Sequence, residues 1–487
     1  MTETTAAVSP MRILTRPKLE IALAPGDGIG PEITAAVIKV LEAAQAPLKF
    51  VPIEVGLAAY EAGEKAGISA EALETVRAHK VLLKGPITTP QGGGFKSVNV
   101  TLRKSLGMFA NVRPCMALAP VVPGAHPNLD IVVIRENEED LYAGIEHRQT
   151  EDVVQCLKLI TRPGCERIVR YAFEYAVQNG RKKITCMTKD NIMKLTDGLF
   201  HRVFDEIGAE YPQIEKEHMI IDIGIAKIAR DPARFDIILA PNLYGDIISD
   251  VVAEVSGSVG TAPSANIGED IAMFEAVHGS APDIAGKGVA NPSGMLLAAV
   301  MMLAHIGDGS IATTIHNAWL KAIEDGCLTA DLDPSRGYGT EAFADAVIAR
   351  LGERPTVFEP VQYPPKTDPV RVWVRQSRPP KKTLVGVDLF LASRESAETI
   401  AARIQRALGK RWTLEMITNR GVKVWPNGLP ETNCVDHYRC RLRTDGIGTP
   451  AIAGAMVALD SLGLEVVKTE NLYDFDGQPG YSVGQGQ

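Results

Sequence analysis

The sequence predicts an α/β protein with a largely parallel sheet, followed by a smaller α+β unit. Three observations carry this. Over the first two thirds of the chain, short apolar runs ending in polar loops alternate with helical segments, the pattern of parallel strands joined by crossover helices. Residues 352–381 hold seven prolines in thirty residues and read as a linker. Beyond them, strand-like and helix-like stretches follow the order βαββαβ, the ferredoxin-like arrangement.

Each element has its own signal. LEIALAPGDGIGPEITAAVIKVLEAA reads as strand, tight glycine turn and helix, with Pro31 in the first helical turn. KVLLKGPITTP, DIVVIREN, KKITCMTKDN and FDIILAPNLYGD each read as an apolar strand ending in a polar loop. CERIVRYAFEYAVQNG is one of the helices between them. In such sheets ligands bind beyond the carboxyl ends of the strands, where these loops lie. After the linker, TLVGVDLFLAS, WTLEMITNRGVKVW, DHYRCRLRT and LEVVKTENLYDF are strand-like. ESAETIAARIQRALG and TPAIAGAMVALDSLG are helical. This last unit shows no catalytic constellation, and its plain reading is an oligomerisation or stabilising appendage.

The totals narrow the function. The 487 residues suffice for two or three domains, and 45% hydrophobic content supplies a sizeable core. A formal net charge of −8 argues against a nucleic-acid surface, but not against an anion held by a local arginine cluster. The seven cysteines contain no CxxC, so reduced thiols in the cytoplasm are expected. MTETTAAVSPMRILTRPKLE lacks a secretory apolar core, and runs such as GMLLAAVMMLAHIG are too short to span a membrane.

Several residue groups carry candidate chemistry. Arg103, Arg113 and Arg135 near successive strand ends suit bidentate clamps on carboxylates. Ser97 and Asn99 alternate, so on an extended strand both would face one way. A solvated basic face with a turn serine explains them equally well. Asp246 and Asp250 repel by about 0.2–0.5 kcal/mol if they share a helix face, a cost that a bound Mg²⁺ or Mn²⁺ would offset. Helix capping is the plainer reading, and it accounts for one aspartate better than two. Asp222, in the apolar stretch MIIDIGIAK, is a third candidate ligand. Lys189 is a candidate base and Tyr142 a candidate proton donor, although single residues of these types are more often structural. The glycine turn is not the GxGxxG dinucleotide fingerprint. The small-residue loop FEAVHGSAPDIAGKGVANP is the better cofactor candidate. In it, Asp283 would accept from ribose hydroxyls and repel a 2′-phosphate, favouring NAD over NADP.

Together GDGIGPE, KGPITTP, LRKSLGMFANVRP, RENEEDLYAG, KDNIMK, NLYGDIISD, GSVGTAPSANIG and HGSAPDIAG occur in the order that resembles the metal-dependent β-decarboxylating dehydrogenases. The resemblance spans roughly residues 19–350. It implies a doubly wound sheet that is not a classical Rossmann fold, with a clasp around 140–190. Flanking it are a tail at 1–18, a linker at 351–382, a C-terminal domain at 383–480 and a tail at 481–487. SVNVTLR looks like the isocitrate-specific element, because isopropylmalate enzymes carry apolar residues there. By resemblance, Thr89, Ser97, Asn99, Arg103, Arg113 and Arg135 bind isocitrate. Asp246 and Asp250, with Asp222 from a neighbouring subunit, bind Mg²⁺ or Mn²⁺. Lys189, also from the neighbour, relays the hydroxyl proton, and Tyr142 protonates the enolate. His278, Gly279, Ser280, Ala281, Pro282, Asp283, Ile284 and Asn291 hold the cofactor. NADP-dependent members carry Lys-Tyr where Asp283-Ile284 stand here, so NAD is expected. The implied activity is NAD- and metal-dependent oxidative decarboxylation of isocitrate by a homodimer, or by a tetramer joined through the C-terminal domain. The alternatives are an NADP-dependent isocitrate dehydrogenase, a homoisocitrate dehydrogenase and a silent regulatory subunit. The last is disfavoured because Lys189, Tyr142 and all three aspartates are present.

Overall fold

The computed structural model describes residues 17–88, 97–124, 126–364, 370, 372–375, 378–444 and 448–483. In residues 19–276 the strands are Leu19–Ala24 (β1), Leu48–Pro52 (β2), Val81–Lys84 (β3), Ala110–Met116 (β4), Asp130–Glu136 (β5) and Glu146–Arg148 (β6). They continue with Val154–Cys156 (β7), Lys183–Thr188 (β8), Glu215–Ile220 (β9), Ile237–Ala240 (β10), Pro263–Ile267 (β11) and Ala272–Ala276 (β12). Ten of them form one sheet of order β2-β1-β3-β12-β11-β4-β5-β10-β8-β9, while β6 and β7 pair as a separate hairpin. The flanks β2-β1-β3-β12 and β5-β10-β8-β9 are parallel, as the apolar runs predict. They meet through antiparallel β11 and β4. The sheet is therefore mixed at its centre.

The central strands are buried along their length, as expected when helices cover both faces. Helix Ser293–His305 is apolar almost all round and lies in the core with Trp319 and Phe274. The glycine turn does what its spacing suggests. Gly26 and Gly28 take positive φ values of 78° and 59°. A Cβ on Gly28 would lie 2.0 Å from the Ser280 carbonyl oxygen, so only glycine lets this turn brace the 278–284 loop.

The C-terminal unit contains Lys382–Ala392 (β13), Thr413–Asn419 (β14), Val422–Trp425 (β15), His437–Arg443 (β16), Glu465–Phe475 (β17) and Gln478–Pro479 (β18). Their order, β15-β14-β16-β13-β17-β18, is antiparallel throughout. The four long strands have the predicted ferredoxin-like order, extended by two short edge strands. Val387, Leu389 and Leu391, alternate residues of a strand buried on both faces, turn one face toward helices Ala397–Leu408 and Thr449–Asp460. On the other face Asp388 receives two hydrogen bonds from Arg441, at 2.8 and 2.9 Å. This unit also holds the β6–β7 hairpin: Thr150 Oγ1 donates to Asp436 at 2.6 Å, and Lys468 to Gln155 at 3.2 Å. No helix among the described residues is long and apolar enough to cross a membrane.

Candidate active site

The site opens at the carboxyl end of β5 and β10, which pair in parallel register with Arg135 opposite Ala240. Immediately after β10 the helix Asn242–Ser256 begins. Gly245 presses this helix onto the strand, since a Cβ there would meet Arg135 Cγ at 2.6 Å. Two residues flanking that contact then fix Arg135. Its Nε donates to the Asn242 carbonyl at 2.9 Å and its Nη2 to Asn242 Oδ1 at 2.8 Å, while Nη1 reaches Asp246.

Arg103, Arg113 and Arg135 converge here and all are buried. Arg113 Nη1 stands 3.4 Å from both Asp246 Oδ1 and Asp250 Oδ1. Arg103 is held by Asn99 O at 3.2 Å and Asn137 Oδ1 at 2.9 Å. Tyr142 donates to Asp246 Oδ2, with the Arg135 guanidinium 4.8 Å from its ring centre. With Ser97, Asn99, His278 and Gly279 these residues line a cleft of about 380 Å³. Ser97 and Asn99 reach it differently from the strand expectation. Ser97 is the N-cap position of helix Val98–Ser105 and Asn99 lies in its first turn. The alternation of polar residues there belongs to a helix start rather than a strand, and the Ser97 side chain makes no capping hydrogen bond, which leaves its hydroxyl to the cleft. Thr89 lies outside the described residues.

The electrostatics follow from burial and charge. Burial pushes the Asp246 carboxyl up, but Arg135 and Arg113 outweigh it and hold the group below its ordinary value. Asp250 is raised, first by burial and then by Asp246 against the opposing pull of Arg113. Burial and the two neighbouring arginines bring Arg135 down to about 10. Burial raises the Tyr142 phenol. The cleft is thus a cationic pocket with a carboxylate pair on one wall, suited to a small polycarboxylate.

Three buried polar atoms at this cleft have no partner among the described residues: Asn99 Oδ1, Arg113 Nε and His278 Nε2. Orphaned groups of this kind leave hydrogen-bonding capacity that a ligand or water in the cleft would satisfy. Asp246 and Asp250 offer hard oxygen donors from one helix face, a set that fits Mg²⁺ or Mn²⁺ completed by substrate. His278 and Gly279 bring the loop read from the sequence as the cofactor candidate to the cleft edge. Ser280 is tied to Thr88 at 2.7 Å, Ala281 adopts φ 38°, and Pro282 and Asp283 are exposed beside half-buried Ile284. Asn291 is engaged by Asp331 at 3.0 Å and by Ser293 N at 2.9 Å.

Lys189 and Asp222 do not line this cleft. They pair with each other at 2.8 Å, at the carboxyl end of β8 and in the first turn of helix Ile221–Arg230. Asp222 is exposed, and its hydrogen bond from Lys189 lowers its carboxyl. Behind them Asp190, His201 and His218 form the one cluster of metal-ligating type among the described residues. The two imidazoles stack with centroids 3.5 Å apart at 14°, so their in-plane lone pairs run side by side rather than converge.

Sequence reasoning left several participants unassigned. Glu275 lines the cleft and pairs with Lys84 at 2.6 Å, where the lysine side chain is 0% exposed. Asn137, Asn242 and Ser249 hold the three arginines. Lys84, Asn137, Asn242 and Ser249 sit inside the quoted motifs KGPITTP, RENEEDLYAG and NLYGDIISD, and Glu275 inside the quoted loop FEAVHGSAPDIAGKGVANP, which was the available signal.

Comparisons with known proteins identify the family. A profile of the isocitrate/isopropylmalate dehydrogenase family matches residues 20–347, and one of the bacterial isocitrate dehydrogenase C-terminal domain matches residues 382–487. A Rickettsia bellii protein named isocitrate dehydrogenase [NADP] is 50% identical over 96% of this chain and 99% of its own. A Thermus thermophilus protein of the same name is 43% identical over 99% of each chain. A crystal structure of a Thermus thermophilus protein superposes with a TM-score of 0.90, at 43% identity and 96% coverage of both chains. These whole-length relatives overturn the expected NAD preference, and with it the reading of an NAD-preferring enzyme. The physical reason is that Asp283 is solvent-exposed. A hydrated, screened carboxylate on a surface loop repels a 2′-phosphate only weakly, and Ile284 beside it is uncharged. The chain belongs to the isocitrate/isopropylmalate dehydrogenase family, in the form that carries the bacterial isocitrate dehydrogenase C-terminal domain.

Proposed function

We propose that this protein catalyses the metal-dependent oxidative decarboxylation of isocitrate to 2-oxoglutarate and CO₂, with NADP⁺ as hydride acceptor. The observation that carries the reading is the convergence of Arg103, Arg113 and Arg135 on Asp246 and Asp250. Three guanidiniums match three carboxylates of a tricarboxylate, and the aspartates supply what a hard cation needs. The whole-length relatives named for NADP support the cofactor.

In this reading the arginines orient the substrate carboxylates, and Ser97 and Asn99 hydrogen-bond the carboxylate that isocitrate carries where isopropylmalate has an isopropyl group, which stays in the product. Asp246 and Asp250 would hold Mg²⁺ or Mn²⁺, which when bound would supply Lewis-acid charge to the substrate oxygens. Lys189 relays the hydroxyl proton as hydride leaves C2. Tyr142, kept protonated by its burial, then delivers its proton to C3 of the enolate. Because Lys189 and Asp222 stand away from the cleft, each serves the site of a second copy of the chain. Ile192, Ile223 and Ile247 are exposed beside them, as a dimer face requires. The C-terminal domain joins such dimers or stabilises them. Seven unpaired cysteines suit a reducing compartment, the cytoplasm.

The test is cofactor reduction by purified protein with isocitrate, using NADP⁺ or NAD⁺, with Mn²⁺ or with EDTA. Metal-dependent reduction of NADP⁺, faster than of NAD⁺, is expected. A folded, metal-loaded sample that reduces neither cofactor would overturn the reaction; a clear NAD⁺ preference would overturn the cofactor alone.

A further inference from the structure

Two carboxylates in this protein are wholly buried yet share a single cation. Lys158 Nζ stands 2.7 Å from Asp197 Oδ1 and 3.4 Å from Asp140 Oδ1, with side-chain exposures of 11%, 0% and 0%. Asp140 Oδ1 makes no hydrogen bond among the described residues, so the ammonium is what compensates it. The opposite oxygens point at the catalytic machinery. Asp140 Oδ2 accepts from Leu243 N at 2.9 Å, in the first turn of the helix that carries Asp246 and Asp250. Asp140 also precedes the short turn Leu141–Ala143 that carries Tyr142, and it adopts φ 65°, a strained value for a residue with a side chain. Asp197 Oδ2 accepts from the backbone N–H of Lys189 at 2.7 Å. Lys158 itself is docked through the adjacent Leu159, whose carbonyl accepts from Asp140 N at 2.8 Å. Its ammonium lies 4.6 Å from the ring centre of Tyr244, on the same helix as the aspartates.

We propose that Lys158 is a positioning residue that ties together the groups this chain keeps for its own site and those it gives to its partner's. Tyr142, Asp246 and Asp250 are on one side of the bridge, and Lys189 is on the other. The inference rests on the shared-site reading above. Its consequence is specific to a dimer: one substituted chain disturbs both sites, through Tyr142 in one and Lys189 in the other.

The test uses hybrid dimers with two affinity tags. A hybrid of wild type and Lys158→Met should fall to about a tenth of wild-type kcat or less, because misplacement by about 1 Å costs up to 10²-fold at each site. The KM for isocitrate should change less than kcat, since the hydrogen bonds of Asn137 to Arg103, Asn242 to Arg135 and Ser249 to Arg113 do not pass through Lys158. Lys158→Arg, which keeps a cation between the carboxylates, should recover most of kcat. A Lys158→Met hybrid with about half the wild-type kcat, the value for damage to one site only, overturns the proposal. If Lys158→Met does not fold, Lys158→Met/Asp140→Asn/Asp197→Asn removes the stranded charges but keeps the acceptor oxygens, and the same two outcomes decide. The shared-site reading is checked separately by a hybrid with Asp246→Asn in one chain and Lys189→Met in the other. It keeps one intact site if sites are shared and none if they are not.

Discussion

Asp246→Asn is the sharpest probe of the candidate site, because one oxygen pair faces two arginines and a tyrosine. At an effective dielectric of about 20, a unit charge pair 3.4 Å apart, the Arg113–Asp246 separation, gains about 5 kcal/mol before desolvation. Water reaches 33% of the Asp246 side chain, so the net value falls to about 2 kcal/mol. The substitution leaves three buried guanidiniums facing Asp250, which is itself 66% exposed. The free protein should therefore lose about 2 kcal/mol of stability, and isocitrate should restore most of it by supplying carboxylates to the same arginines. Turnover should suffer more. Loss of a metal carboxylate should lower kcat by at least about 10²-fold, or about 2.7 kcal/mol of transition-state stabilisation. The assay is NADP⁺ reduction across a Mn²⁺ titration, with thermal unfolding run alongside, with and without isocitrate. A folded Asp246→Asn protein that turns over at nearly the wild-type rate under limiting metal would refute the reasoning.

Other expectations follow from the same geometry. Tyr142→Phe should lower kcat by about 10²-fold with little change in KM, read by steady-state kinetics, because it removes the proton donor and no substrate clamp. Lys84→Met should lower the urea midpoint by an amount equal to about 3–5 kcal/mol, because Glu275 is stranded in the interior; Lys84→Met/Glu275→Leu should recover much of it. Asp283→Asn should raise kcat/KM for NADP⁺ by about two- to fivefold and leave the KM for isocitrate unchanged, since it removes one screened charge near the proposed 2′-phosphate. Glu324 gives a pH dependence. Burial raises its carboxyl, but Thr356, Val357 and Lys321 outweigh that and lower it from 4.5 to about 2. The folded value is the depressed one, so the stabilisation is complete above the ordinary value and is lost as pH falls toward about 2. The Tm of Glu324→Gln should sit below wild type at neutral pH and approach it across that window.

Local physics made much of this protein legible from its residues. Glycine at 26 and 28 with proline at 31 marks a strand-turn-helix, because few other residues tolerate positive φ there. Asp246 and Asp250 share a helix face because four residues are close to one helical turn. Even here, local reasoning failed where two local structures favour the same residue types. Ser97 and Asn99 read as alternating along a strand, yet they start a helix.

What the tertiary structure alone decided depends on contacts between residues distant in the chain. No sequence pattern foretold that β11 and β4 would join the two parallel blocks, yet that junction carries Arg113 to the aspartates. Lys84 meets Glu275, and Lys158 meets both Asp140 and Asp197, because burial forces charges from separate segments to find each other. Solvent exposure also decided the weight of Asp283. Its identity was plain in the sequence, but only its place on the surface shows how far water screens its charge. Residue identity sets what chemistry a side chain can do; long-range packing sets the distance and dielectric that give it a magnitude.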